Sequence, residues 1–477
     1  MTHLAPVLSS IVAIIAAWIN PAYGQRDEAA KRMARDLFKQ LIEINTTDSA
    51  GSTTAAANAM AERLRGAGFA ASDVQVLGPN ERKGNLVARL RGSGTGKPIL
   101  LMGHLDVVEA RREDWSMDPF EFTEQDGYFY GRGTQDMKSG DAILVATLMR
   151  LKQEGYRLDR DLILALTADE EGGQSNGIDW LLKNHRELID AEFALNPDGG
   201  GIFTRDGKPV IMTVDASEKL YADFQLEVKN AGGHSSLPTP DNAIYHLSDA
   251  LGRLERYKFP FELNAVTRAY FERSAAAAKG QAAADMKSIV KNPPDAPAIE
   301  RLSKDPLYNA MMHTTCVATR LEAGHANNAL PQTARAIVNC RILPGHTREE
   351  VRRELGKILA DPGIKVRYVS DAGEVLDAAP ERHDMPPVTL RPAVMKPLEK
   401  IAQAMWPGMP VVPTMATGAS DGVYTNAAGI PTYGVSGIAL AFGDVRAHGR
   451  DERVGVASYY DGAEFYYRYL KALTSTN

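Results

Sequence analysis

The sequence predicts an α/β protein in which a mostly parallel, helix-layered sheet is interrupted by an inserted ferredoxin-like module of order β-α-β-β-α-β. Three observations carry that expectation. From Arg26 to about Ser217, helical spacings of apolar residues alternate with short apolar runs, the rhythm of strands joined through helices. From Glu218 the order becomes strand, helix, strand, strand, helix, strand, that of the split βαβ unit. After Asp384 the first rhythm resumes, so the smaller module lies within the larger. The 477 residues are about three times a one-domain length. They divide into 25–217 and 385–477 for the larger unit and 218–384 for the inserted one.

Each element has a local reason. Residues 28–43 form an amphipathic helix, and 55–67 form another that ends at Gly66 and Gly68. GNLVARLRG and KPILLMGH have the short, branched, apolar character of strands. A helix over 139–155, the strand DLILALT, a helix over 176–188 and the strand AEFALN follow. In the inserted module, YADFQLEVKN, HTTCVATRLEAG, ARAIVNCRIL and IKVRYVSD read as strands. Residues 242–257 and TREEVRRELGKILAD read as its helices. An alanine-rich stretch of about 259–307 enlarges this module, either as a pair of extra helices or as a flap. A helix over 391–405, the loop TMATGASDG and the strand IPTYGVSG complete the larger unit.

Composition narrows the function classes. With 44% hydrophobic and 24% charged residues the chain is of ordinary globular type, neither disordered nor collagenous. A formal charge of -6 and the lack of a basic stripe argue against a nucleic-acid partner. The two cysteines, Cys316 and Cys340, form no C-x-x-C pair, so neither a thiolate zinc site nor a disulfide scaffold is indicated. They fall on consecutive strands of the inserted module and either pair after export or stay as small core residues. Residues 4–24 contain no Asp, Glu, Lys or Arg. They read as a signal peptide (1–24), with an h-region from Val7 to Trp18 and cleavage before Gln25, making the protein secreted or periplasmic. An uncleaved anchor or a buried first helix are the alternatives.

Chemistry-bearing side chains stand where strands end. His104 and Asp106 close KPILLMGHLD on one face of a strand; alone, the pair is as often a core or turn feature as a metal ligand with its orienting carboxylate. Asp136 lies in the glycine-bracketed loop YGRGTQDMKSG and by itself would more often be an N-cap. Glu170 and Glu171 follow LILALT, Asp198 follows AEFALNP, and His448 is a late imidazole. In open α/β sheets ligands bind beyond the carboxyl ends of strands. Two imidazoles and three carboxylates suffice for a dinuclear zinc centre without thiolates. One residue of the Glu170–Glu171 pair can then ligate while the other acts as general base.

MGHLDVV, YGRGTQDMKSG, TADEEGG, NPDGG, AGGHSS, NNALP with NCRILPG, TGASDG and AHGRDE follow one another along the chain. In that order they resemble the motifs of the dinuclear zinc peptidase and deacylase family, which includes aminoacylase, acetylornithine deacetylase, succinyl-diaminopimelate desuccinylase, glutamate-releasing carboxypeptidases and carnosinase-like dipeptidases. The resemblance covers almost the whole chain after residue 24. It implies that Asp136 bridges two zinc ions, with His104 and Asp198 on one and Glu171 and His448 on the other; cobalt or manganese would substitute. It makes Glu170 the general acid/base, Asp106 the carboxylate orienting His104, and His234 the oxyanion-stabilising histidine of a lid. Asn328, Arg341 and Gly418 match substrate-binding positions. Two departures stand out: Asn339 replaces a common Asp two residues before the lid arginine, and Asn327 doubles the asparagine.

The resemblance implies an enzyme that releases a C-terminal amino acid from a dipeptide, short peptide or N-acyl amino acid. A carboxypeptidase or dipeptidase is expected ahead of an aminoacylase-type deacylase. A non-catalytic binding protein on the same fold would have lost the base or a ligand, and none is missing. A homodimer through the lid is a further expectation.

Overall fold

The computed structural model describes residues 21–475, apart from 371–372, 382–384 and 387–388. Most of the leader expected over 1–24, and part of the 384/385 boundary, lie outside the described residues. Among these, no helix is long and apolar enough to cross a membrane.

The larger unit is built on a ten-stranded mixed sheet. At its centre, strands Leu162–Thr167, Ile99–His104, Phe193–Asn196 and Thr432–Gly434 lie side by side and parallel. Alternation along these strands splits their side chains between two cores. Ile99, Leu101, Leu162 and Leu164 face helices Pro21–Ile42, Lys138–Gln153 and Val456–Leu473. Leu100, Met102, Ile163 and Ala165 face the shorter helices Gly177–Asn184 and Arg186–Ile189. Strand Val411–Ala416, interrupted by Pro413, pairs in parallel with Lys208–Glu218.

The chain leaves the large sheet at Glu218 and enters the smaller one at Leu220. The smaller sheet is antiparallel, in the order Thr315–Ala323, Thr333–Ile342, Leu220–Lys229, Ile364–Val369, Val375–Leu376. Helices Ala243–Arg256 and Arg348–Leu359 bury Leu247, Leu254 and Leu355 against Phe224, Leu226 and Val338 of that sheet. This is the expected β-α-β-β-α-β arrangement. Cys316, on the edge strand Thr315–Ala323, stands directly opposite Cys340 on the adjacent strand Thr333–Ile342, and the two are disulfide-bonded.

The 259–307 stretch differs from expectation. It is neither a helix pair nor a flap but belongs to a run of four helices, Ala265–Ala277, Gly280–Ile289, Ala296–Leu302 and Pro306–Met312. These helices do more than enlarge the inserted module. Phe271, Met286 and Met311 pack with Met415 of the large unit and Leu343 of the small one. Arg273 reaches the Val411 carbonyl at 2.7 Å and Glu399 at 2.8 Å. Between the sheets the buried Lys219 ammonium donates to the carbonyls of Ala310 and His313 and to the Thr315 hydroxyl.

Candidate metal centre

Three adjacent parallel strands deliver the centre from their carboxyl ends. Ile99–His104 lies in the middle and ends on His104 itself, Leu162–Thr167 runs into Glu170 and Glu171, and Phe193–Asn196 runs into Asp198. Neighbouring strands lie ~4.8 Å apart, so side chains projecting from their ends converge on one ion-sized volume.

His104 is buried, with its Nε2 3.0 Å from Asp136 Oδ1 and 3.8 Å from Asp198 Oδ1. His448 Nε2 lies 3.1 Å from Asp136 Oδ2 and 2.9 Å from Glu171 Oε2. Asp136 thus turns one oxygen toward each imidazole. It is not an N-cap, because helix Lys138–Gln153 begins after Met137. Ligand atoms of His104, Asp136 and Glu171, and of His104, Glu170 and Asp198, lie within 4.8 Å of one another. A nitrogen and several carboxylate oxygens converging in each cluster is a donor set that suits a divalent cation.

The electrostatics agree. Burial raises Asp136, but hydrogen bonds from His104 and His448 outweigh it and hold the carboxyl below its ordinary value. Burial, together with the nearby Asp198 and Asp421, pushes Glu170 up to about 10. Burial and the Asp136 charge push Glu171 up to about 7. The Asp136 hydrogen bond pushes His448 up to about 9. A cluster in which like charges crowd this closely is stabilised by a bound cation.

Asp106 acts differently from the expectation. Its backbone carbonyl lies 3.0 Å from His104 Nδ1, whereas its carboxylate is 3.7 Å from that nitrogen. The carboxylate accepts the backbone N–H groups of Glu170 at 3.2 Å and Glu171 at 3.0 Å. One residue therefore orients the imidazole with its main chain and the paired glutamates with its side chain.

Several organising residues escaped the sequence reading. Buried Glu452 accepts from the amides of Gly133, Gln135 and Asp136 and pairs with Arg132 Nη1 at 2.6 Å. Gln135 in turn accepts the amides of Arg446 and Ala447, fixing the loop that carries His448. Asp169, at φ +60°, accepts from Lys83 and Ser175; a Cβ on Gly173 would lie 2.3 Å from its carboxylate, so that turn requires glycine. Asp421 bridges Thr167 and Asn176, tying TGASDG to the loop of the glutamates. Glu452 and Asp421 lie inside motifs already singled out; what marks them is a polar position that the fold buries.

A 240 Å³ cavity opens over the cluster, lined among others by Asp136, Glu170, Asp198, Gly418 and His448. The remaining expected substrate residues lie on the smaller module, outside this lining. His234 is exposed on a two-residue ribbon with Ala329–Leu330, and its Nδ1 is met by Ser236. Asn328, also exposed, accepts the Ser235 amide through its carbonyl. The Arg341 guanidinium lies over Tyr221 at 4.7 Å. The unusual Asn339 donates to the carboxylate of Asp223, directly opposite on the neighbouring strand, at 2.8 Å.

Residues 100–472 match the model of peptidase family M20/M25/M40. Human N-fatty-acyl-amino acid synthase/hydrolase PM20D1 is 30% identical over 385 residues, 79% of this chain and 74% of the relative. Aminoacylase-1 of Sus scrofa is 28% identical over 448 residues, 92% of this chain and 95% of the relative. Among solved structures, the M20 family metallo-carboxypeptidase Sso-CP2 from Sulfolobus solfataricus aligns with a TM-score of 0.64 at 18% identity, over 92% of this chain and 99% of that one.

Proposed function

The chain belongs to peptidase family M20/M25/M40, a family of metal-dependent hydrolases, and from that premise we propose that it is a two-zinc amidohydrolase. Its substrates are N-acyl amino acids, dipeptides or short peptides, from which it releases the amino acid bearing the free carboxylate. The carrying observation is Asp136, whose two oxygens face different imidazoles at 3.0 and 3.1 Å. Asp198 completes the His104 set and Glu171 the His448 set. Bound cations supply Lewis acidity and an acidified water. Glu170 sits beside the His104 set, and its carboxylate bonds to neither imidazole. It takes the proton from the attacking water and returns it to the leaving nitrogen.

His234, Asn328 and Arg341 reach substrate from a second chain in this reading. The outermost strand of the smaller sheet, Thr315–Ala323, leaves Val317 and Leu321 exposed, a surface suited to pairing with its own copy. The charge-free 4–24 segment and the Cys316–Cys340 disulfide support export to an oxidising compartment.

Chelation tests the reading. Dialysis against a strong chelator abolishes amide hydrolysis, zinc, cobalt or manganese restores it, and metal analysis finds two ions per chain. Glu170→Gln lowers kcat by about 10²–10⁴-fold with the ions retained. Hydrolysis that survives chelation, or a Glu170→Gln enzyme of undiminished kcat, would overturn the assignment.

A further inference from the structure

Beyond the metal ligands, the 240 Å³ cavity has a further set of acidic groups in its wall. Asp215, Ser217 and Glu218, at the end of strand Lys208–Glu218, share its lining with Glu170 and Gly418. Alternation keeps Met212, Val214 and Ala216 in the core and puts Asp215 and Ser217 on the opposite face. A β-bulge interrupts the pairing here, with Thr414 and Met415 opposite Asp215 and Ser217, and Glu218 joins the same lining. Asp215 Oδ2 accepts the Gly200 amide at 2.9 Å. Glu218 Oε2 accepts the Ser420 amide at 2.8 Å and its hydroxyl at 3.0 Å. The other oxygen of each carboxyl accepts no hydrogen bond among the described residues, and no Lys or Arg lines the cavity. No cation therefore offsets burial, which pushes Asp215 up to about 6 and, with the nearby Asp215 and Asp198 adding to it, Glu218 up to about 8. Neither acid belongs to the two ligand clusters. Between them Ser217, 4% exposed, leaves its buried Oγ without a partner. Buried acids with no counter-charge, beside a buried hydroxyl with no partner, are groups that a cationic ligand satisfies.

We propose that Asp215, Ser217 and Glu218 form an ammonium-binding subsite, and that the enzyme prefers substrates whose released amino acid carries a primary ammonium on its side chain, as lysine and ornithine do. The inference rests on the amidohydrolase reading and specifies its substrate class. Glu170 lines the same cavity, and the nitrogen it protonates belongs to the released amino acid, so that half of the substrate lies here. At 240 Å³ the space is below the roughly 300 Å³ at which pockets for drug-sized ligands begin, and it suits a single amino-acid side chain. An ammonium is a compact charge with three donors, which matches two carboxylate oxygens and one hydroxyl. The planar fork of a guanidinium is a poorer match.

The test compares lysine, ornithine, norleucine and glutamate as the released amino acid, each offered as the Nα-acetyl compound and as the glycyl dipeptide, with zinc supplied. In the wild-type enzyme kcat/KM for lysine exceeds that for norleucine, its uncharged counterpart, by about 10–100-fold, and glutamate is the poorest of the four. Asp215→Asn and Glu218→Gln each lower the lysine-to-norleucine ratio, and the double variant brings it near one. Damage to folding scales both substrates alike and leaves the ratio unchanged. Calorimetry gives an independent readout: free lysine binds the metal-loaded wild type about tenfold or more tighter than norleucine does, and the double variant binds the two alike. Hydrolysis with a wild-type ratio near one would overturn the subsite alone. So would a ratio that the double variant retains. No hydrolysis of any member in either series would overturn the amidohydrolase reading and the subsite with it.

Discussion

Replacing Glu452 by Gln tests whether the metal centre is organised from beneath. Glu452 is fully buried, and its Oε1 accepts the amides of Gln135 at 2.6 Å and Asp136 at 3.0 Å. Its Oε2 accepts the Gly133 amide at 3.1 Å and Arg132 Nη1 at 2.6 Å. Whichever way a glutamine amide turns, its NH₂ faces two donors. Two hydrogen bonds to a charged acceptor are lost, at about 1.5–3 kcal/mol each. The Arg132 guanidinium also loses its buried counter-charge, and breaking such a pair costs about 3–5 kcal/mol. The two losses overlap, so the expected destabilisation is about 3–5 kcal/mol. At roughly 2–4 °C per kcal/mol, the Tm of the chelated protein falls by about 6–20 °C. Because Glu452 holds Gln135 and Asp136, and Gln135 holds the His448 loop, a shift of about 1 Å there lowers kcat/KM of the metal-loaded enzyme by roughly 100-fold. Thermal unfolding of the chelated variant and steady-state kinetics of the loaded one measure the two effects. A Glu452→Gln protein with wild-type Tm and kcat/KM would refute the reasoning.

Two further predictions concern the smaller module. The Glu349 carboxylate is held down to about 2, chiefly by hydrogen bonds from Arg352, with burial opposing and the Ala379 amide assisting. A depressed native pKa contributes stability that is complete above the unfolded value and is lost as pH falls; the loss therefore runs from about pH 4.5 down to about 2. Glu349→Gln makes stability in urea less steeply pH-dependent across that window, and an unchanged acid limb would contradict the assignment. The disulfide closes a loop with a sequence separation of 24. Chain entropy gives about 3.5 kcal/mol for such a loop. The Cys316→Ala/Cys340→Ala double variant should lose about that much in denaturant unfolding, and wild-type stability would show that the crosslink restrains nothing.

The strands and helices expected from alternation and spacing stand within a few residues of their predicted places, because each carries its own apolar pattern. Elements whose pattern is weak escaped. Strand Val411–Ala416 contains Pro413, which reads as a breaker, yet parallel pairing with Lys208–Glu218 fixes it. The insertion helices Ala265–Ala277 and Gly280–Ile289 are alanine-rich, and all four are ambiguous alone. They become helices against Met415 and Leu343, whose positions depend on both sheets. The site divides in the same way. The convergence of His104, Glu170, Glu171 and Asp198 was legible because these residues follow the carboxyl ends of apolar strands that lie side by side. The division of labour in Asp106 was not, since main-chain and side-chain acceptors are indistinguishable in a sequence.

By itself, the sequence determined the layered α/β class and the inserted module, and it marked the imidazoles and carboxylates that gather at one end of the sheet. These follow from local periodicity and from residue chemistry, which neighbouring residues encode. Only the tertiary structure decided that Asp136 faces both imidazoles and that Glu452 and Asp421 support the loops from below. Those facts depend on distances between segments as far apart as Arg132 and Glu452, which are set by how the sheet brings its strand ends together.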